Sequence, residues 1–209
     1  MRVDRPHPGE ELNEGEVTEP RQAASLVLLR DSPEGVEVLL VQRNPAQRFM
    51  GGAWVFPGGA VHAEDADHAA AGVRELLEEA GIALPAEAEV VPWSRWITPE
   101  EVKIRFDTWF FVAEAPPGAE PTPDGGECVD ARWLRPADAL DAYTRDELML
   151  VFPTIKHLEA LTEMSSVADA LDKARTREVV PVQPRVVMRG DHAEIVLPGE
   201  PGYDEGKPA

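Results

Sequence analysis

Glu75, Glu78 and Glu79 sit close together in the run VRELLEEAG, which ends at Gly81. On an α-helix, positions i, i+3 and i+4 share a face, so the three carboxylates project together. Such crowding is repulsive and weakens the helix unless positive charge is held there. A hard divalent cation with oxygen ligands is the natural counter-charge, and Mg²⁺ suits it. Arg74 lies on the flank of this acidic face, where it can pin a neighbouring carboxylate. In isolation the same spacing is more often a solvated surface, so the surroundings decide.

Those surroundings read as strand, glycine turn, helix. The apolar run AWVF precedes Gly58 and Gly59, and a helix is predicted over residues 67–80. Asp67 is its expected N-cap, and Gly81 a stop able to take positive φ. Val73, Leu76, Leu77 and Ala80 are expected on one apolar stripe, with the glutamates on the opposite side. Upstream, AASLVLLRD, the turn SPEG and VEVLLVQRN predict a hairpin, followed by the loop NPAQRFMGG. Downstream, VVPWSRWI and KIRFDTWFFVAEA read as strands. The turn-rich loop PPGAEPTPDGG then delivers Glu127 ahead of the short strand CVDARWL. PADALDAY and residues 145–164 read as helical, the latter interrupted at Pro153, where a second helix is expected to begin. A helix over 167–176 and a hairpin of VVMR and AEIVL around Gly190 and Asp191 follow.

Composition narrows the function. Twenty Lys and Arg against 39 Asp and Glu leave a net charge of −19, which disfavours a general phosphate-facing surface for a nucleic-acid polymer. An anionic substrate must instead meet a local group of cations or a metal. Cys128 is the single cysteine, so no internal disulfide forms, and a reducing, cytoplasmic setting is expected. It lacks a convincing histidine partner and is given no nucleophilic role. No apolar run approaches a membrane span, and no membrane partner is expected.

The strand, glycine turn and acidic helix together resemble the Nudix hydrolases. Their box reads Gly, five residues, Glu, seven residues, Arg-Glu, apolar, any, Glu-Glu, any, Gly, apolar. From Arg74 to Ile82 every fixed position of its second half is matched. The first half departs twice: Asp65 stands for Glu, and one extra residue precedes Arg74. The partner of Arg74 is therefore Asp65 or Glu64. The resemblance implies an α/β fold, an α/β/α sandwich with a mixed sheet. Added to it is a C-terminal extension containing a helix and a hairpin. Residues 1–20 are expected as a mobile tail, 21–165 as the Nudix domain and 166–209 as the extension. The extension is expected either to cover the site or to build a homodimer interface.

The resemblance also implies a chemistry, cleavage of a pyrophosphate bond by a water acting with Mg²⁺ or Mn²⁺. Glu75, Glu78, Glu79 and the carbonyl of Gly59 take the metal positions. Glu127 takes the place of a further ligand or general base, and Arg74, Glu78 and Glu127 form the catalytic set. Arg43, Arg48, Arg95, Lys103 and Arg105 are cations near strand ends facing the box. Arg43, Arg48 and Arg105 are the candidates for substrate phosphate, Arg48 and Arg105 foremost. Trp54, Phe56, Trp93, Trp96 and Trp109 can stack on a base but are more often core. His62 and His68 flank the box and are expected in solvent. FMGGAWVFPGG, RFDTWFF and VFPTIKHLEAL are similar to a coenzyme A diphosphatase-like branch, which makes coenzyme A or an acyl derivative the first expected substrate. The alternatives are ADP-ribose, NADH or an oxidised nucleoside triphosphate, and a non-catalytic module that senses a nucleotide.

Overall fold

The computed structural model describes residues 2–3, 11–13, 15–190 and 192–204. In chain order the elements are strands β1 (Arg2–Val3), β2 (Arg21–Ser32), β3 (Gly35–Arg43), β4 (Trp54–Val55) and β5 (Gly58–Ala60). Helix α1 (His68–Ala80) follows, then β6 (Val91–Ile97), β7 (Phe106–Glu114) and β8 (Cys128–Leu134). Helices α2 (Pro136–Thr144), α3 (Phe152–Leu161) and α4 (Val167–Thr176) come next, before β9 (Pro181–Val182), β10 (Arg185–Arg189) and β11 (His192–Val196).

A mixed eight-stranded sheet forms the centre. Its order is β4-β3-β2-β7-β6-β9, with β5 added beside β2 and β8 beside β3. β2 and β7 run parallel; β2 and β3 form the antiparallel hairpin expected from the SPEG turn. Period-2 alternation makes this sheet two-faced. Leu26 and Leu28 of β2, Leu39 and Val41 of β3, and Phe111 and Ala113 of β7 pack with Ala71, Leu76 and Ala80 of α1. Val27, Leu29, Val38, Leu40 and Val112 point the other way, against Ala139 of α2, Ile155, Leu158 and Leu161 of α3, and Val167 and Ala170 of α4. The result is the expected sandwich, with one helix on one face and three on the other.

The extension holds the expected helix, α4, and the hairpin β10–β11, which with β1 forms a separate three-stranded sheet. Asp191, at the turn of that hairpin, lies outside the described residues, as do residues 4–10 and 14 of the expected tail. Residues 11–13 and 15–18 lie along the loop between β6 and β7: Leu12 bridges Val102, Asn13 N–H donates to Glu101 O at 2.7 Å, and Thr18 Oγ1 donates to Lys103 O at 2.8 Å. No helix among the described residues is long and apolar enough to cross a membrane.

Two local expectations need correction. Residues 145–151 are not helical, and α3 starts at Phe152. Asp146 adopts φ 58, which breaks the helical path, and Leu148, Leu150 and Val151 are buried. There Met149 O accepts from Trp54 N–H at 2.8 Å. The second concerns α1. Its buried face is Ala71, Gly72, Glu75, Leu76, Glu79 and Ala80, while Leu77 is 51% exposed. The small residues Ala71 and Gly72 let the helix lie close on β2. A Cβ placed on Gly72 would meet the Cβ atoms of Ala24 and Leu26 at 3.8 Å. That seating rotates Glu75 and Glu79 inward, onto the end of β5, and leaves only Glu78 of the three facing outward.

Candidate active site

α1 is held at both ends as its sequence predicts. Asp67 Oδ1 accepts from Ala70 N–H at 2.8 Å, and Gly81, at φ 67, donates its N–H to Leu77 O at 3.0 Å. The helix thereby presents its glutamates to Gly58 and Gly59, which pair antiparallel with Ser25 and Ala24 of β2. Gly58 N–H donates to Glu79 Oε2 at 2.9 Å. A Cβ on Gly59 would stand 2.4 Å from Glu75 Oε1, so only glycine lets this carboxylate lie against the backbone.

Arg74 organises the acidic side. Its Nε and Nη2 donate to the two carboxylate oxygens of Asp65, each at 3.0 Å, and Nη2 also donates to Ala60 O at 3.0 Å. Nη1 is shared between Glu75 Oε1 at 2.8 Å and Glu78 Oε2 at 2.9 Å. Of the two acids left open by the box spacing, the partner is Asp65. Hydrogen bonding from Arg74 holds the Asp65 carboxyl down to about 2.

The other two acids are pushed the opposite way. Burial raises Glu79 to about 7, with the charge of Glu75 adding to it and Gly58 N–H and Arg43 opposing. Glu75 is raised as well, by burial first, while Arg74 opposes and the charges of Glu78 and Glu127 add. Two inward carboxylates whose charged forms are disfavoured form a site short of positive charge.

Glu127 reaches the same cleft from the opposite wall. Its side chain is exposed, but its backbone is fixed on both sides. Asn44 N–H donates to Glu127 O at 2.8 Å, and Asn44 Nδ2 donates to Gly126 O at 2.8 Å. Asp124 accepts from the N–H groups of Gly126, Glu127 and Cys128 at 2.9, 2.8 and 2.8 Å. Cys128 is wholly buried, and its thiol hydrogen-bonds Glu79. Burial and the Glu79 charge push the thiol far above its ordinary range, so it is no nucleophile.

These groups line one cleft of about 540 Å³. Glu75, Glu78, Glu79, Gly58, Gly59, Glu127 and Arg43 are all in its wall. Arg74 stands behind it, holding the acids. Arg43 Nε donates to Phe49 O at 3.3 Å and bears electrostatically on Glu79.

The other cations are used elsewhere. Arg105 is 7% exposed and spends its guanidinium on Thr98 O and Thr18 O, at 3.1 and 2.6 Å. Arg48 extends into solvent near Glu11, 3.4 Å away, and does not line the cleft. Its neighbours Phe49 and Met50 do line the cleft, so the loop reaches the site without the Arg48 side chain. Arg95 pairs with Asp107 at 2.6 Å, and Lys103 with Glu11 at 3.0 Å. Trp54, Phe56 and Trp93 are core residues; Trp96 packs against them, and Trp109 stacks on Phe111. His62 is exposed at the rim of the cleft, and His68 bonds Gln22 Oε1 at 2.9 Å. Asp124 and Arg21 line the cleft, and Asn44 braces the loop that carries Glu127; none of the three was singled out from sequence. The turn signals NP and PDGG pointed to the loops of Asn44 and Asp124 without saying that both clamp Glu127.

The donor set suits a hard divalent cation: carboxylates only, two of them buried, beside a backbone that admits no Cβ. As they stand, no three acidic, His or Cys side chains among the described residues converge on one point. Arg74 and Gly58 N–H hold Glu75, Glu78 and Glu79 in their present directions.

Comparison with known proteins agrees with this geometry. A family model described as the NUDIX domain matches residues 19–152. The human acyl-coenzyme A diphosphatase NUDT19 is 29% identical over 121 residues, which is 54% of this chain and 32% of the human protein. The chain thus spans about a third of that relative's length. A NUDIX hydrolase structure from Alicyclobacillus acidocaldarius superposes with a TM-score of 0.67 at 28% identity, over 78% of this chain and 99% of that one. The NUDIX domain of Shewanella oneidensis NrtR, solved with ADP ribose, shares the fold with a TM-score of 0.57 at 20% identity, over 70% and 88% of the two chains. With the box helix, the glycine strand and the Arg74–Asp65 clamp in place, and the family model spanning most of the chain, this protein belongs to the Nudix family.

Proposed function

We propose that this chain hydrolyses the pyrophosphate bond of a nucleoside diphosphate linked to another moiety, with coenzyme A or an acyl-coenzyme A as the substrate of first choice. The observation that carries the reading is the convergence on one cleft of Glu75, Glu78 and Glu79 from α1 and Glu127 from the opposite loop. Glu75, Glu78, Glu79 and the Gly59 carbonyl would hold Mg²⁺ or Mn²⁺, with Glu127 as a further ligand. Such an ion, when bound, neutralises pyrophosphate charge and lowers the pKa of a coordinated water.

The chain's own residues supply the rest. Arg74 keeps the crowded acids from splaying apart and fixes the helix against the 60–65 loop. Glu127, on its clamped backbone, is placed to accept the proton of the attacking water. Arg43 is placed to donate to a phosphate oxygen. The likeness to the human acyl-coenzyme A diphosphatase supports the substrate class. The full set of box glutamates supports turnover over a purely sensing role.

The test is a product-resolved panel with Mg²⁺ and with Mn²⁺: coenzyme A, acetyl-coenzyme A, NADH, ADP-ribose, dinucleoside polyphosphates and 8-oxo-dGTP, with Glu78→Gln as the blank. The expected result is 3′,5′-ADP and a phosphopantetheine product at the best kcat/KM, and loss of metal-dependent turnover in Glu78→Gln with an unchanged melting temperature. Faster cleavage of another substrate removes coenzyme A from the reading. Full activity of Glu78→Gln removes the metal face itself.

A further inference from the structure

The floor of the cleft is built from alternate residues of two parallel strands. Arg21, Ala23 and Ser25 of β2 stand in register with Phe106, Thr108 and Phe110 of β7, and all six line the cleft. At the carboxylate end, Ser25 pairs with Gly58 and Ala24 with Gly59. Three to four residues along β2 lies Arg21, which at the usual strand rise is roughly 10–13 Å from that end. Between them the floor carries only the small side chains Ala23 and Thr108, leaving room for an extended ligand.

Arg21 differs from the other cations that the described residues place in the cleft. It is exposed within the cleft, and it joins none of the ion pairs or side-chain hydrogen bonds formed by the described residues. Its backbone is fixed, since its N–H donates to Arg105 O at 2.9 Å. Beside it, Phe106 meets Phe49 with ring centroids 5.6 Å apart, and both rings line the cleft. In a chain of net charge −19, an unpaired guanidinium next to an aromatic pair is a prepared place for an anion carried on an apolar or planar body.

Resting on the reading above, we propose that Arg21 is the specificity-determining cation of this cleft. It receives a second phosphate of the substrate, a phosphomonoester carried on the nucleoside about 10 Å from the scissile pyrophosphate. The chain therefore favours ribose-phosphorylated substrates over the same compounds without that group.

Two substrate pairs test this: coenzyme A against dephospho-coenzyme A for a 3′-phosphate, and NADPH against NADH for a 2′-phosphate. Each is measured on wild type, Arg21→Ala and Arg21→Lys. Wild type should prefer the phosphorylated member of at least one pair by about tenfold or more in kcat/KM, chiefly through KM. The preference should fall below about threefold in Arg21→Ala and be partly restored in Arg21→Lys. Equal rates within both pairs for wild type, or a preference that survives in Arg21→Ala, overturn the assignment. Calorimetric binding of 3′,5′-ADP against AMP provides a readout independent of turnover. If no pair is hydrolysed, coenzyme A and the nicotinamide dinucleotides leave the proposed substrate class. Arg21 is then judged on binding alone: tighter 3′,5′-ADP binding lost in Arg21→Ala supports it, and equal binding refutes it.

Discussion

Gly59→Ala separates the chemistry of the site from the stability of the fold. The added Cβ would lie 2.4 Å from Glu75 Oε1 and 2.6 Å from its Cδ, where ordinary contact begins near 3.4 Å. The carboxylate must therefore move by about 1 Å. It cannot swing freely, because Arg74 Nη1 holds Oε1 at 2.8 Å and Glu75 is buried beside Leu76. A displacement of that size at a catalytic group can lower turnover by about 10²-fold. Gly59 does not have a positive φ, so the backbone itself is not strained by alanine. The expected result is a drop of about 10²-fold in kcat, with a urea midpoint shifted by no more than about 1 kcal/mol in equivalent stability. Gly58→Ala is the contrasting variant. Its Cβ would strike Ala24 O at 2.5 Å and Ser25 Cα at 2.7 Å, both across the β2–β5 pairing, so it should lose stability along with activity. If Gly59→Ala retains kcat within threefold of wild type, the contact between Gly59 and Glu75 has no part in catalysis.

Three further predictions concern groups outside the metal face. His157 is buried between Phe56, Phe110 and Trp96; its Nδ1–H donates to Pro153 O at 2.6 Å, and its Nε2 accepts from Ser94 Oγ at 2.6 Å. Burial lowers its pKa to about 4 from an ordinary 6.5. The unfolded chain then binds the proton more tightly, so stability is full above pH 6.5 and is lost as the pH falls from 6.5 towards 4. The loss is on the order of 3 kcal/mol. Urea titrations of wild type and His157→Gln across that range should show a wild-type slope that the variant lacks; parallel curves would count against it. Arg105→Ala should lower stability by about 1–3 kcal/mol by leaving Thr18 O and Thr98 O without their donor, whereas Arg48→Ala should change KM by less than twofold. A KM for Arg48→Ala raised tenfold would return that residue to the binding surface.

Element types were readable wherever periodicity or a cap specified them locally. The α1 limits followed from Asp67 and Gly81, and the hairpin of β2 and β3 from two strand-like apolar runs either side of SPEG. The rotation of α1 was not readable in the same way. A helical wheel weighs Leu77 as apolar and Glu75 as polar, but Gly72 seats the helix on β2 and a glycine strand receives the carboxylates. The cations show the same limit. Arg105 and Arg48 sit in motifs that draw the eye, RFDTWFF and RFMGG, yet one is consumed by backbone carbonyls and the other faces solvent. Arg21, in the plain run PRQAAS, reaches the cleft because β2 runs parallel to β7 and places it opposite Phe106. That pairing joins residues 85 positions apart, and no local pattern contains it.

The charge layout along the cleft gives the strongest reason for treating its two ends as one device. At one end Glu75, Glu78, Glu79 and Glu127 are offset only by Arg74 and Arg43; at the other stand Arg21, Phe106 and Phe49. A polyanion approaching a chain of −19 is repelled over most of the surface, and unscreened attraction begins only within about a Debye length of an unpaired cation. Arg74 cannot serve that role, since its guanidinium is already committed to Asp65, Glu75 and Glu78. Arg21 joins no ion pair among the described residues and stands at the far end, so on the proposed reading it attracts the end of the substrate that does not react. A ligand bound there by a terminal phosphate can enter in one direction only, with its pyrophosphate falling towards the carboxylates. On this account Arg21 should affect which bond is presented as well as which substrate is held. A substrate lacking the terminal phosphate should then show some fall in kcat, because part of the bound population lies the wrong way round, beside the larger rise in KM caused by the lost phosphate contact.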